Sequence, residues 1–182
     1  MAKHLRRPLA LIPIAISLAG CGTHRVYSAQ DVTNETQIEH DKYQGLTFVR
    51  GVQLGTSMPG QLDQRRIVTS LDGNGAIVAS WIDYDESGPD MPLQFVAAHD
   101  AAARPLRLEK LDRERKTKDA YAAEEVAVDL PPGYLSEHLH GGIDIQIEGR
   151  RGSRVVSFGE DYLGGYWSKL LIAQACVKAR TC

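Results

Sequence analysis

Apolar residues recur at every second position over most of the chain beyond residue 45, which is the pattern of strands with one buried face. Turn residues separate these segments, and such spacing is typical of a sandwich or barrel. The pattern predicts an all-β domain, a single β-sandwich of immunoglobulin-like or related type with about seven to eight strands. The alternating segments are residues 46–54, 67–71, 77–81, 93–97, 106–108, 126–130, 143–147 and 156–158.

The clearest turn is Asp72-Gly73-Asn74-Gly75, because Asp-Gly and Asn-Gly steps favour the positive φ angles of a tight hairpin. We therefore expect residues 65–84 to form one hairpin. The same residues begin like a calcium loop, but its sixth position holds Ile77 instead of glycine and its twelfth holds Asp83 instead of glutamate. The turn is the favoured interpretation.

Two stretches depart from the period of two. Residues 134–140 follow Pro131-Pro132-Gly133 and suit a single helical turn. In residues 166–177 the apolar positions fall on one helical face, which predicts a short C-terminal helix that closes the domain.

The first 21 residues have the layout of an export signal. A basic start precedes an apolar run of residues 8–19, which is too short to span a bilayer because a span needs about 20 residues. The run ends in Leu18-Ala19-Gly20-Cys21, which resembles a bacterial lipobox. The resemblance implies that residues 1–20 are removed and that Cys21 carries lipid. A plain secretory signal, which leaves Cys21 as an ordinary thiol, is the alternative.

In lipoproteins with such a leader, Asp after the lipidated cysteine favours retention in the inner membrane of enteric bacteria. Gly22 stands at this position, so the resemblance implies the periplasmic face of the outer membrane. Residues 21–44 are polar and lack a sustained apolar period, so we expect a lipidated flexible tether there. The β-sandwich domain is then expected over residues 45–182.

The net charge limits the class of partner, and the cysteine content limits the possible disulfides. Without the leader the chain has 18 Lys and Arg against 23 Asp and Glu, a net charge of −5, which argues against a nucleic-acid partner. Beyond Cys21 only Cys176 and Cys182 remain. Because exported proteins meet an oxidising compartment, we expect these two cysteines to form a disulfide.

His138 and His140 are the best candidates for chemistry, since two histidines one residue apart point the same way on a strand and suit zinc. On a helical turn their side chains diverge instead, and Gly141-Gly142 indicates a loop. They are therefore weak metal candidates, and an exposed connector is the favoured interpretation. No catalytic residue and no cofactor is predicted, because the sequence has no nucleophile elbow and no phosphate-binding glycine loop.

Tyr162, Tyr166 and Trp167 offer two interpretations. They form a binding platform, or they close the end of the sandwich. Together these observations predict an outer-membrane-anchored periplasmic lipoprotein that acts as a binding or scaffolding module for another envelope protein, as an accessory subunit of an envelope or secretion assembly or as an immunity-type inhibitor. A periplasmic hydrolase or metal-dependent enzyme that uses His138 and His140 is the alternative.

Overall fold

Strands dominate the described chain. The structure is a computed structural model that describes residues 26–58, 61–88, 93–111 and 123–181, and these ranges contain eleven strands and three helices. The leader, Cys21 and Cys182 lie outside the described residues. The predicted lipid attachment and the predicted disulfide therefore stay predictions.

The first sheet is antiparallel and has seven strands in the order β1-β2-β4-β5-β9-β8, with β3 paired to β4 beside this path. Its strands are β1 (Gln37–Asp41), β2 (Leu46–Arg50), β3 (Leu54–Met58), β4 (Gln61–Leu71), β5 (Ile77–Ser87), β8 (Leu108–Lys110) and β9 (Ala123–Leu130). The second sheet is also antiparallel and has the order β11-β10-β6-β7. Its strands are β6 (Phe95–Asp100), β7 (Pro105–Leu106), β10 (Ile143–Gly149) and β11 (Gly152–Phe158).

One face of each sheet forms the core. Ile67, Ile82 and Val128 are cross-strand neighbours on β4, β5 and β9, and all three side chains are fully buried. Tyr84 of the first sheet meets Phe95 of the second edge to face, with ring centroids 5.9 Å apart. The prediction of an all-β, sandwich-like fold is confirmed, with more strands than expected in the described ranges.

The hairpin prediction is confirmed as well. β4 and β5 pair from Leu62–Ser87 to Leu71–Ile77, and the turn lies where the Asp-Gly and Asn-Gly steps placed it. Oδ1 of Asp72 accepts hydrogen bonds from the backbone N–H groups of Asn74 and Ala76, at 2.8 and 2.9 Å. Gly75 has a φ of +75°, which glycine adopts without strain. The Asp72 carboxylate thus organises the turn.

The segment expected to be a tether is largely folded, so this prediction was wrong for residues 29–41. They form α1 (Ala29–Glu35) and β1. Ser28 begins α1 with a capping box, in which its hydroxyl accepts from the backbone of Asp31 and the Asp31 carboxylate accepts from Ser28. Only Val32 of α1 is buried, which explains why the sequence shows no apolar period there.

The C-terminal helix is longer than predicted. α3 (Glu160–Ala179) begins six residues before the expected start and includes Gly164 and Gly165. The short helix α2 (Tyr134–Glu137) falls within the predicted helical turn. None of the helices in the described ranges combines the length and apolar composition that a membrane span requires.

Gly165 is the point where α1 docks on α3. A Cβ atom added to Gly165 would overlap the carbonyl oxygen of Ala29 and would lie 2.7 Å from Cβ of Val32. Next to it, Gly164 has open space at the corresponding position. The packing of α1 on α3 therefore requires glycine at position 165 but not at position 164.

We expect Gly165→Ala to lower the free energy of unfolding by about 1–3 kcal/mol, because α1 has to shift away from α3. The matched Gly164→Ala variant should raise it by up to about 1 kcal/mol, since alanine favours helix over glycine. Urea unfolding of both variants measures the difference. Equal effects of the two substitutions would contradict the close approach of the helices at Gly165.

Candidate binding groove

An apolar groove opens at the end of the first sheet where β5 begins and β9 ends. Its volume is about 430 Å³, which lies within the range of roughly 300–1,000 Å³ that is usual for ligand pockets. Five elements or connections contribute to it: the start of β5, the end of β9, β7, α2 and α3. Its apolar lining residues are Ile77, Val78, Ala79, Pro105, Leu106, Leu130, Pro131, Pro132, Leu135 and Trp167.

The groove exists because β9 ends opposite Ser80 and does not reach the first residues of β5. The last cross-strand pair between them is Ser80–Leu130, and the next two residues on the β9 side are prolines, which have no N–H to donate to a sheet. The carbonyl oxygen of Pro131 instead accepts a hydrogen bond of 3.0 Å from Tyr134 N–H, where α2 begins. The beginning of β5 is therefore left without β9 beside it.

A β-bulge in β5 alters the rim of the groove. Ser70 pairs with Ala79 whereas Leu71 pairs with Ile77, so Val78 is the additional residue in β5. Bulges redirect side chains and are frequent beside functional sites. The side chain of Val78 is 58% exposed, and Ile77 is exposed as well. Two neighbouring aliphatic side chains thus lie at the mouth of an apolar groove.

The β6–β7 connection brings Pro105 and Leu106 to the groove, and Asp100 holds this connection in place. Oδ1 of Asp100 accepts from the backbone N–H groups of Ala102 and Arg104 at 2.9 Å each, and Oδ2 accepts from Nε of Arg104 at 2.6 Å. Burial alone would raise the pKa of Asp100, but the hydrogen bonds and charge of Arg104, with the N–H of Ala102, lower this pKa overall. The carboxylate is therefore ionised at neutral pH and fixes one wall of the groove.

Charged groups of both signs lie at the rim. Nη1 of Arg107 is 3.5 Å from Oδ2 of Asp129, and Nη2 of Arg107 is 3.7 Å from Oε2 of Glu109. The Arg107 side chain remains largely exposed, so these long contacts are weak in water. An apolar centre with a mixed-charge rim is the arrangement found in protein interfaces.

The sequence offered two roles for three aromatic residues, a binding platform or closure of the sandwich, and the structure shows that they do not share one role. Tyr162 and Tyr166 are buried and close the core: Tyr162 donates to the carbonyl oxygen of Val52 at 2.8 Å, and Tyr166 donates to that of Val49 at 3.0 Å. Burial raises the pKa of both phenols, so both stay protonated. Trp167 is half-buried and lines the groove.

The structure does not bring His138 and His140 together as a pair of ligands. His138 stacks on Tyr134 with ring centroids 4.1 Å apart, and its Nδ1 lies 2.8 Å from the Tyr134 carbonyl oxygen. His140 is 94% exposed, and its Nδ1 lies 3.5 Å from Glu160. Within the described ranges, no three His, Cys, Asp or Glu residues are grouped to hold a metal ion.

A buried polar cluster at the opposite end of β5 was not anticipated from the sequence. Glu86 is buried, accepts from the Tyr84 hydroxyl at 2.7 Å and pairs with Nη2 of Arg154 at 2.6 Å. Burial and Glu86 raise the pKa of Tyr84, so its hydroxyl remains a donor. Arg65 Nε donates to the Ser157 carbonyl oxygen nearby, at 3.1 Å. The Arg154–Glu86 pair and the Arg65–Ser157 bond join the two sheets, since β11 supplies one partner of each and β5 or β4 supplies the other.

The predicted disulfide concerns the end of α3. Arg180 has a φ of +54° and ends the helix, after which Thr181 N–H donates to the Cys176 carbonyl oxygen at 3.1 Å. The turn brings the chain back towards Cys176 immediately before Cys182. The pairing itself stays a prediction, because Cys182 lies outside the described residues.

Comparisons with protein-family models, with curated proteins and with solved structures find no match to this chain. The case for a function therefore depends on the groove and the leader.

Proposed function

We propose that this chain is a lipid-anchored binding module of the bacterial envelope, held at the periplasmic face of the outer membrane, and that the groove binds a segment of another envelope protein. The lipobox-like residues before Cys21 support the anchor. The β-rich domain supplies a rigid framework, and the ends of its strands together with α2 and α3 supply the site.

The single observation that carries the proposal is the exposed aliphatic rim of the groove. Ile77 and Val78 are adjacent, both are exposed, and they border a cavity that Trp167 also lines. Single exposed aliphatic residues are ordinary, but a contiguous apolar patch with a polar rim is typical of a surface that meets a partner. Tryptophan is also enriched among the residues that contribute most to binding.

A polypeptide segment suits the groove better than a small apolar molecule does. Arg107 and Asp129 place opposite charges at the mouth, and a polypeptide carries apolar and charged side chains together. The opening is bordered by exposed side chains on β5, so a ligand that covers them has to extend beyond the cavity itself. A protein segment meets both requirements.

Site-specific photo-crosslinking tests the proposal in intact envelopes. We expect p-benzoylphenylalanine at position 78 to give one discrete protein adduct, which mass spectrometry identifies. Val155 is the matched control, because it is a similarly exposed valine, 65% against 58%, on the outer face of the other sheet. The probe at position 155 should not give the same adduct.

Binding of the crosslinked partner should also depend on the apolar rim of the groove. With purified partner, Val78→Glu should weaken binding about ten-fold or more, because it places a charge on the apolar rim, whereas Val155→Glu should leave the Kd unchanged. Adducts of equal yield at positions 78 and 155, or absence of any adduct at 78, would overturn the proposal. Copurification of an apolar small molecule that Val78→Glu excludes would overturn the choice of a protein ligand.

The enzyme alternative receives no support from the two histidines. His138 is engaged with Tyr134, and His140 projects into solvent beside Glu160. Hydrolytic chemistry at this position needs both side chains at one reacting centre. The binding module is therefore the function that the described residues favour.

A further inference from the structure

The point where the chain enters the fold lies beside the N-terminal end of α3. Val26 and Tyr27 border a surface depression together with Leu54 and the first residues of α3, among them Glu160 and Asp161. Ser28 follows directly as the N-cap of α1. Any anchor that precedes residue 26 is therefore attached to this end of the domain.

This entry point is fixed to the domain. Val32 of α1 is fully buried, and Oγ1 of Thr33 donates to the carbonyl oxygen of Gly165 at 3.0 Å. β1 continues the chain as a strand paired with β2 along its whole length. Because both elements are packed, residues 29–41 do not act as a spacer.

The remaining linker is short compared with the domain. From Cys21 to Ser28 there are seven Cα–Cα steps, which span at most about 25 Å. A domain of this size has a diameter of roughly 40 Å. An anchor at Cys21 thus cannot reach around the domain to its far side.

We propose that the surface around the N-terminal end of α3, which comprises Val26, Tyr27, Leu54, Glu160 and Asp161, faces the lipid bilayer and remains within about 25 Å of it. This inference depends on the proposed lipid anchor at Cys21, and it adds a fixed orientation of the domain. The C-terminal half of α3 and the β4–β5 turn then point away from the membrane.

The orientation also places the groove. Trp167 lies seven residues beyond Glu160, a rise of about 10 Å along the helix. Ile77 and Val78 on its rim directly follow the β4–β5 turn. The groove therefore lies between the end of the domain that faces the membrane and the end that points away from it.

Energy transfer to the bilayer tests the orientation with the full lipidated protein. A donor dye is coupled to p-azidophenylalanine at position 160 or at position 74, and the protein is inserted in vesicles of phosphatidylethanolamine and phosphatidylglycerol that contain a rhodamine lipid. Gln174 of α3 donates to the carbonyl oxygen of Gly75, so position 74 is about 21 Å farther along α3 than position 160. We expect clearly stronger transfer from position 160.

Two variants identify the cause. Insertion of 20 Gly and Ser residues after Gly22 extends the reach to about 95 Å and should abolish the difference between positions 160 and 74. Equal transfer from both positions in protein that carries palmitate would overturn the orientation but leave the anchored module intact. Absence of palmitate together with absence of transfer would overturn the anchor, and the orientation with it.

Discussion

Cys21→Ser should release the protein from the membrane fraction, whereas the wild type should fractionate with the outer membrane. Serine cannot form the thioether that holds the diacylglycerol group. Two or three acyl chains contribute about 0.8 kcal/mol per buried methylene and hold a protein durably, whereas one chain binds only marginally. The groove should not compensate, because the ligand that we propose for it is a protein segment and not a bilayer. Palmitate labelling and membrane fractionation measure the effect.

Cys176→Ser is the control for this experiment, since Cys176 lies near the end of α3 and far along the chain from the leader. It should keep both the palmitate label and the membrane association. If the Cys21→Ser protein were still labelled and still membrane-bound, the lipid attachment at Cys21 would be disproved. The proposed function and the orientation of the domain would then lose their common basis.

Removal of the Glu86 carboxylate should cause the largest loss of stability among the polar substitutions considered. Glu86→Ala leaves the hydroxyl of Tyr84 and the guanidinium of Arg154 without their partner in a buried site. A buried group that loses its partner costs about 1–3 kcal/mol, and more when it is charged. Because Arg154 is partly exposed, we expect a decrease of about 3 kcal/mol in the free energy of unfolding.

Glu148→Ala provides the comparison, because Glu148 also pairs across strands, with His99 at 2.9 Å, but is half exposed. This substitution should change stability by less than about 1 kcal/mol, as usual for surface pairs. Urea unfolding at neutral pH measures both variants. Losses of the same size at the two positions would contradict the larger contribution expected of the buried Glu86 cluster.

The alternation of apolar and polar residues along the chain was sufficient to predict the fold class. The hairpin of β4 and β5 was predicted because its turn residues and its apolar face are local, and local signals survive in any tertiary context. The extent of α3 was not, because the apolar face that predicted the helix begins only at Tyr166, after Gly164 and Gly165. In the structure Gly165 is needed for the approach of α1, which involves residues more than 130 positions away in sequence.

The folded N-terminal segment was missed for a related reason. α1 buries a single side chain, Val32, and β1 is an edge strand in which Ile38 is the one apolar residue, so neither shows a strong apolar period. The capping box at Ser28 and Asp31 was the one local signal that could have located the start of α1. The docking of α1 depended on its contact with α3. The short linker to Cys21 follows from this docking.

The sequence by itself determined most of the strands, the main turn, the expectation of an anchor at Cys21 and the choice of Trp167 as one of three aromatic candidates. The tertiary structure alone decided that Trp167 lines a groove whereas Tyr162 and Tyr166 close the core, and it joined Glu86 to Arg154 across the sheets. The physical reason is that period and turn chemistry act between neighbours in sequence. A groove and a buried ion pair form only when distant elements pack together.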